Sequence, residues 1–315
     1  MFAYLARRAL TLLPILLLMS VIVFGLIRMV PGDPIDVMYG SEGMDEIRRA
    51  ALSQELGLDQ PVVVQYGRWL WRALRGDLGN SYRAGIPVLQ LIGQRLPATL
   101  FLSFAALILS LLIAIPLGIV AAVRRNSWAD VTAMVFAIVG ISLPAFWSGI
   151  LLVLVFAVWL RWLPSIGYVS PAEDFLRFLR HLILPAITLG WSLAGTTTRL
   201  ARSSLLEELG KDYVRTARGK GLRERAVLLT HALRNALIPT VTMVGLQLGF
   251  LIGGTVVVET VFAWPGVGLL VVDSIFARDY PVVQGVVLVI AVLVVAVNLL
   301  VDVIYTVLDP RIRFS

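Results

Sequence analysis

The chain has 315 residues, of which 58% are hydrophobic and 15% charged, and its 27 Lys and Arg against 20 Asp and Glu leave a formal net charge of +7. Soluble domains run near 45–50% apolar and about 25% charged, so this composition excludes an ordinary soluble globule, a disordered chain and a coiled coil, and points to an integral membrane protein. The lack of cysteine excludes disulfides and thiolate metal sites, and two histidines, His181 and His231, stand too far apart for an HExxH zinc motif.

Crossing about 30 Å of hydrocarbon takes roughly 17–25 apolar residues as a helix. Six uncharged runs are long enough: Ala9 to Ile27, Leu96 to Val123, Val131 to Leu160, His181 to Thr198, Asn235 to Val258 and Tyr280 to Val301. The first lacks an A-x-A cleavage site and reads as an uncleaved helix rather than a signal peptide. Pro31-Gly32-Asp33-Pro34 ends it, Asp45 to Leu56 reads as a short helix, and Val62 to Leu74, with Trp69 and Trp71 among Arg68, Arg72 and Arg75, suits a helix at the membrane interface. A seventh run, Thr260 to Val272, has 13 residues and contains Pro265, Gly266 and Gly268, so it reads as a short helix or re-entrant segment. The expected fold is all-α, six transmembrane helices, in one membrane domain over 1–315 with a large loop over 29–96.

Short loops rich in Lys and Arg stay cytoplasmic. With six spans and both termini inside, one face collects Arg7, Arg8, Arg124, Arg125, Arg311, Arg313 and the nine Lys and Arg of the segment 199–234, 15 of the 27 basic residues. Topology therefore accounts for the basic charge, and a nucleic-acid partner is not expected. The segment Arg199 to Arg234 is itself unusual. A connection between two spans needs about five residues, whereas this one has 36 and mixes charged and apolar residues as short amphipathic helices do. Such a helix docks into a partner's groove or lies on anionic lipid, and the residues alone leave both open.

At this segment the chain resembles a known family. Tyr213-Val214-Arg215-Thr216-Ala217-Arg218-Gly219-Lys220-Gly221, followed by His231 to Pro239, resembles the EAA-type cytoplasmic loop of bacterial ABC importer permeases, in the dipeptide, oligopeptide and nickel branch. Gly76-Asp77-Leu78-Gly79-Asn80-Ser81, Arg95-Leu96-Pro97, Ile141 to Phe146, Trp162-Leu163-Pro164, Glu259 to Gly268 and Arg278-Asp279-Tyr280-Pro281 are similar in the same order, so the likeness covers nearly the whole chain. Three positions depart from the general pattern: Arg215 stands where many permeases place Glu, Arg234 where they place Pro, and Gly219 replaces a common Ala. Gly219 and Gly221 each loosen a helix there by about 1 kcal/mol relative to Ala.

The resemblance implies the type I ABC importer permease architecture. It implies that Tyr213, Arg215, Thr216, Ala217, Arg218, Gly219, Lys220 and Gly221 form the coupling helix that sits in a cleft of an ATP-binding subunit. It also implies an inner-membrane, multi-pass subunit working with a second homologous permease, two ATP-binding subunits and a periplasmic solute-binding protein. Loop 29–96 is then periplasmic. No G-x-x-x-x-G-K-[ST] occurs in the chain, so ATP and Mg are expected on partner subunits, with no cofactor and no enzymatic activity here. The solute class implied is a small peptide or peptide-like molecule, glutathione included. A nickel complex or an oligosaccharide is the alternative, with direct nickel ligation by this chain disfavoured by its residues.

Other candidates come from the spans. Gly245, Gly249 and Gly253 repeat every four residues and make a smooth stripe for a neighbouring helix, either as fixed packing or as a sliding seam. Ser142, Gln247, Asn298 and Asp302 are candidate translocation-path residues, the last two sharing a helix face at spacing four. Glu259, Trp264 and Pro265 belong to a segment that resembles an external gate element; the plain alternative is an interfacial anchor with the Glu259 charge in water. A secondary transporter using Asp302 and Glu259 as proton carriers is the competing function.

Overall fold

The computed structural model describes residues 2–29, 54 and 59–308, with side chains described for 11–25, 54, 59–301 and 303. The expected break at Pro31 to Pro34 and the expected short helix Asp45 to Leu56 lie outside these. The described residues form helices, with one isolated bridge between Asn80 and Pro87. In chain order the helices are α1 (Phe2–Met29), α2 (Val62–Leu74), α3 (Val88–Val123), α4 (Trp128–Ser142), α5 (Ala145–Trp159), α6 (Phe175–Leu209), α7 (Asp212–Gly219), α8 (Glu224–Ala236), α9 (Ile238–Gly254), α10 (Val256–Val261), α11 (Val267–Phe276) and α12 (Tyr280–Leu308). By length and composition α3, α6 and α12 can each cross a membrane, and five crossings result if the bent pairs α4–α5 and α8–α9 each count once. The first apolar run lies inside α1.

Three expectations are corrected. The run Val131 to Leu160 is not one straight span: α4 and α5 meet at 108°. Pro144 lacks an N–H and disfavours helix in the residue before it; Leu143 is accordingly extended at φ −81, ψ 128. At 1.5 Å per residue α4 is only about 22 Å long, short of a full crossing. The run Asn235 to Val258 likewise bends by 46° between α8 and α9, next to Pro239. Lastly, the basic segment 199–234 does not start as a loop at Arg199. The helix that carries His181 to Thr198 continues unbroken to Leu209, 35 residues in all. The short segment after span 5 takes the form of α10, a tight turn and α11.

The chain divides into two compact units. The first comprises 1–97 and 269–299. Here α2 leans on α1 through Tyr66 and Trp69, whose rings lie 5.3 and 5.6 Å from Phe24, and the Ser20 and Tyr66 hydroxyls hydrogen-bond at 2.8 Å. Loop 76–87 is knotted by Ser81 N–H to Ile86 O at 3.0 Å and Val88 N–H to Gly79 O at 2.9 Å.

The second unit comprises 98–268 and 300–315, and α6 is its hub. Its window has a mean hydropathy of 1.2, against 2.8 for α3 and α12, and 56% of it is buried, against 17% for α12. The low hydropathy has a packing cause. The buried face of α6 carries Thr188, Gly190, Ala194, Gly195, Thr197, Thr198 and Ala201, small residues that let α3, α4 and α9 approach closely. A methyl group on Gly195 would overlap the Ala137 carbonyl of α4. In its extension beyond Thr198 α6 holds α4 by a bidentate pair, Arg202 to Asp130, at 2.6 and 2.7 Å.

Candidate coupling helix and gate turn

α7 is a two-faced helix of eight residues. Val214 is fully buried and Ala217 nearly so, three apart on one face. They join Ala122, Leu205, Val227, Ala232 and Ala236 in a separate apolar cluster. The helix is therefore seated on its own protein through an apolar stripe, and Arg215, Thr216, Arg218, Gly219 and Lys220 face outward. Gly221 ends it. At φ +77 it adopts the left-handed conformation, and Gly221 N–H to Arg218 O (2.9 Å) with Leu222 N–H to Ala217 O (3.4 Å) closes the helix. Gly219, by contrast, is inside the helix with open space around it.

Polar contacts fasten both ends. The Tyr213 hydroxyl donates to Glu208 at 2.5 Å and accepts from Asn235 Nδ2 at 3.2 Å, linking α6, α7 and α8. Lys211 Nζ donates to the same carboxylate at 2.5 Å. Arg218 pairs with Glu224 at the start of α8 through Nε at 3.0 Å and Nη2 at 2.5 Å. Burial, then the Glu208 bond, pushes the Tyr213 hydroxyl above the usual phenol range, and the Glu208 bond raises the Lys211 ammonium. Both shifts run away from neutrality, so Tyr213 stays protonated and Lys211 charged at physiological pH.

The second site is the turn between α10 and α11. Glu259 is completely buried, not in water as the anchor alternative supposed. One of its oxygens accepts from Thr99 Oγ1 at 2.7 Å and Thr255 Oγ1 at 2.9 Å. Thr99 in turn accepts the Val267 N–H at 2.8 Å, so one hydroxyl ties the carboxylate to the first residue of α11. Trp264 is also fully buried, donates its indole N–H to Ala98 O at 2.8 Å and meets Tyr168 edge-on at 4.8 Å. Pro265 is half-buried and Ala263 is left-handed at φ 48. A carboxylate so enclosed, with no surface exposed, braces the turn.

The remaining candidates scatter. Gly245 and Gly249 are buried, Gly245 against Val301, while Gly253 is exposed. Gln247 is buried and donates to Leu193 O at 3.2 Å and Thr197 Oγ1 at 3.0 Å, so its amide stitches α9 to α6. Ser142 is exposed at the α4–α5 break, Asn298 is half-buried on α12, and the Asp302 side chain lies outside those described. Sequence reasoning missed the Asp130–Arg202 pair and the buried Ser81–Asp279 pair. Asp279 accepts from Ser81 Oγ at 2.5 Å and from the Tyr82 and Arg83 N–H groups at 3.2 and 3.3 Å, clasping loop 76–87. Both residues sit in stretches already noted for family likeness, which was the available signal.

The chain is similar to known proteins along its whole length. Residues 114–314 match the family of binding-protein-dependent transport system inner membrane components, and residues 1–103 match its N-terminal region. A provisionally named peptide transport system permease protein of Brucella abortus (strain 2308) is 45% identical over 315 residues, covering 100% of both chains. The glutathione transport system permease protein GsiC of Salmonella paratyphi A is also 45% identical over the full length of both. A chain from the inward-facing MetNI methionine ABC transporter shares the fold, with a TM-score of 0.58 and 18% identity over 70% of this chain and 97% of that one. Full-length likeness to permeases, on an all-helical membrane fold, places the chain in the family of binding-protein-dependent transport system inner membrane components: it is a permease subunit of an ABC transporter, working with ATP-binding and substrate-binding partners.

Proposed function

We propose that this chain carries a small peptide or peptide-like solute, of the dipeptide, oligopeptide or glutathione class, across the bacterial inner membrane. Two relatives 45% identical over their full length are named for peptide and glutathione transport, which supports that class. Six membrane passages with both termini cytoplasmic put α7 and the basic segment on the cytoplasmic side. A second homologous permease completes the path, a periplasmic binding protein delivers the solute, and two further subunits bind ATP and Mg.

The observation that carries the coupling role is the seating of α7. Its apolar face is spent on Val214 and Ala217, and its outward face offers Arg215 and Lys220 to an ATPase cleft. A push on α7 is passed to α6 through Tyr213–Glu208 and to α8 through Arg218–Glu224. ATP-driven closure of the ATPases then moves α6 and α8–α9 together, opening a path shared with the second permease outward, and hydrolysis resets it. Coupling of this kind requires contacts that differ between the two states.

The test is to purify the tagged chain from its host and follow peptide uptake in reconstituted vesicles. Co-purification of two ATPases and a second permease, with ATP-dependent uptake, supports the proposal. Recovery of the chain alone, with uptake that survives ATP depletion and collapses with an uncoupler, overturns it.

A further inference from the structure

The helix α2 is built in three sectors, which follow from about 100° of rotation per residue. Tyr66, Trp69 and Ala73 turn toward α1 and are half-buried. Val63, Trp71 and Leu74 form a second apolar sector that is 80%, 58% and 73% exposed. Arg68, Arg72 and Arg75, at spacings of four and three, form an exposed basic stripe beside it. Among the described residues no carboxylate lies within ion-pair distance of these three guanidinium groups. Arg75 stacks on Trp71 at 4.4 Å, joining the basic stripe to the apolar sector.

The contacts with α1 set the depth. α2 meets Ser20 and Phe24, and the apolar run of α1 ends at Ile27. Three to seven residues at 1.5 Å each place the contact about 5–10 Å inside the end of the span, the depth to which an interfacial helix buries its apolar face below the headgroups. Three arginines spread over two turns cannot stand upright in hydrocarbon. The helix axis therefore runs along the membrane plane, with the second apolar sector toward acyl chains and the stripe at phosphate level.

We infer that α2 is an anionic-phospholipid clamp: Arg68, Arg72 and Arg75 hold lipid phosphates while Val63, Trp71 and Leu74 insert beneath them. The partner is an anionic lipid headgroup such as phosphatidylglycerol. Charge complementarity argues for lipid over a protein partner, since a protein covering the sector would also have to match three adjacent guanidinium groups at membrane depth.

The chain has no cysteine of its own, so single spin labels report cleanly. The whole transporter complex, carrying Val63→Cys or Leu74→Cys, is labelled and reconstituted in vesicles of equal parts phosphatidylcholine and phosphatidylglycerol; the complex without the introduced cysteine is the blank. The expected result is preferential collision with oxygen over a water-soluble nickel chelate. Preferential collision with the chelate places the sector in water, and shielding from both places it under protein; either overturns the inference. In parallel, phosphatidylglycerol retained by the purified complex is measured. It falls by about fivefold for each guanidinium removed in the Arg68→Gln, Arg72→Gln, Arg75→Gln series, and survives in the triple Lys variant. Retention unchanged in the Gln variants, or abolished by millimolar inorganic phosphate alone, overturns the clamp.

Discussion

The Glu259 carboxylate occupies the space in which a side chain on Gly266 would stand, so that any Cβ at position 266 would overlap its oxygens. Six residues of chain fold back between the two, and Thr99 braces the carboxylate and the Val267 N–H together. Gly266→Ala is expected to destabilise the complex by about 2–3 kcal/mol through overpacking. Glu259→Asp withdraws the carboxylate by one methylene and makes room. In thermal unfolding the double variant should therefore be more stable than the sum of the single losses by about 1 kcal/mol; additive losses would show that the two positions do not share this space.

Gly221 closes α7 in a left-handed conformation. Gly221→Ala is expected to cost about 1–2 kcal/mol locally, and Gly221→Pro to break the helix end outright, since proline holds φ near −65°. Basal ATP hydrolysis by the assembled transporter should persist while solute-stimulated uptake is lost in the Pro variant. Normal stimulated uptake with Gly221→Pro would remove α7 from the coupling path.

Arg218 and Glu224 are half-exposed partners, so their pair contributes at most about 1 kcal/mol to stability. Its value lies in registering α7 against α8. Arg218→Glu should lower the ratio of solute transported to ATP hydrolysed with little change in melting temperature. The swapped variant, Arg218→Glu with Glu224→Arg, should restore much of that ratio. Failure to restore it would mean that Arg218 contacts the ATPase directly.

Asp130 is 6% exposed in its side chain and accepts both arms of Arg202. Asp130→Asn leaves a guanidinium short of its counter-charge at the junction of α4 and α6. A loss of about 2–3 kcal/mol is expected, below the 3–5 of a fully enclosed pair because Arg202 retains some solvent. Chemical unfolding monitored by tryptophan fluorescence measures it, and a loss under 0.5 kcal/mol would class the pair with ordinary surface bridges.

Much of the local form of the two candidate segments was legible along the chain. The coupling segment stood out because an overlong, mixed-polarity connection between spans needs a reason, and α7 covers nearly the stretch assigned by resemblance. The gate turn was visible as a proline- and glycine-rich run too short to cross. Glu259 was harder: a carboxylate at the end of an apolar run looks hydrated until Thr99, 160 residues away in sequence, is seen to bond to it. Gln247 is similar, since only the position of Thr197 shows that its amide stitches two helices.

What the sequence determined alone was the membrane class, the positions of the apolar runs and the family, because the length of an apolar run and the order of short motifs are local properties. Only the tertiary structure decided where those runs break, how far α6 continues past its span, and which polar groups are enclosed. The reason is physical. Pro144 permits a bend without setting its 108°, a weakly apolar span becomes central only when small residues on its face find close neighbours, and a buried carboxylate is stable only where donors from distant parts of the chain converge on it.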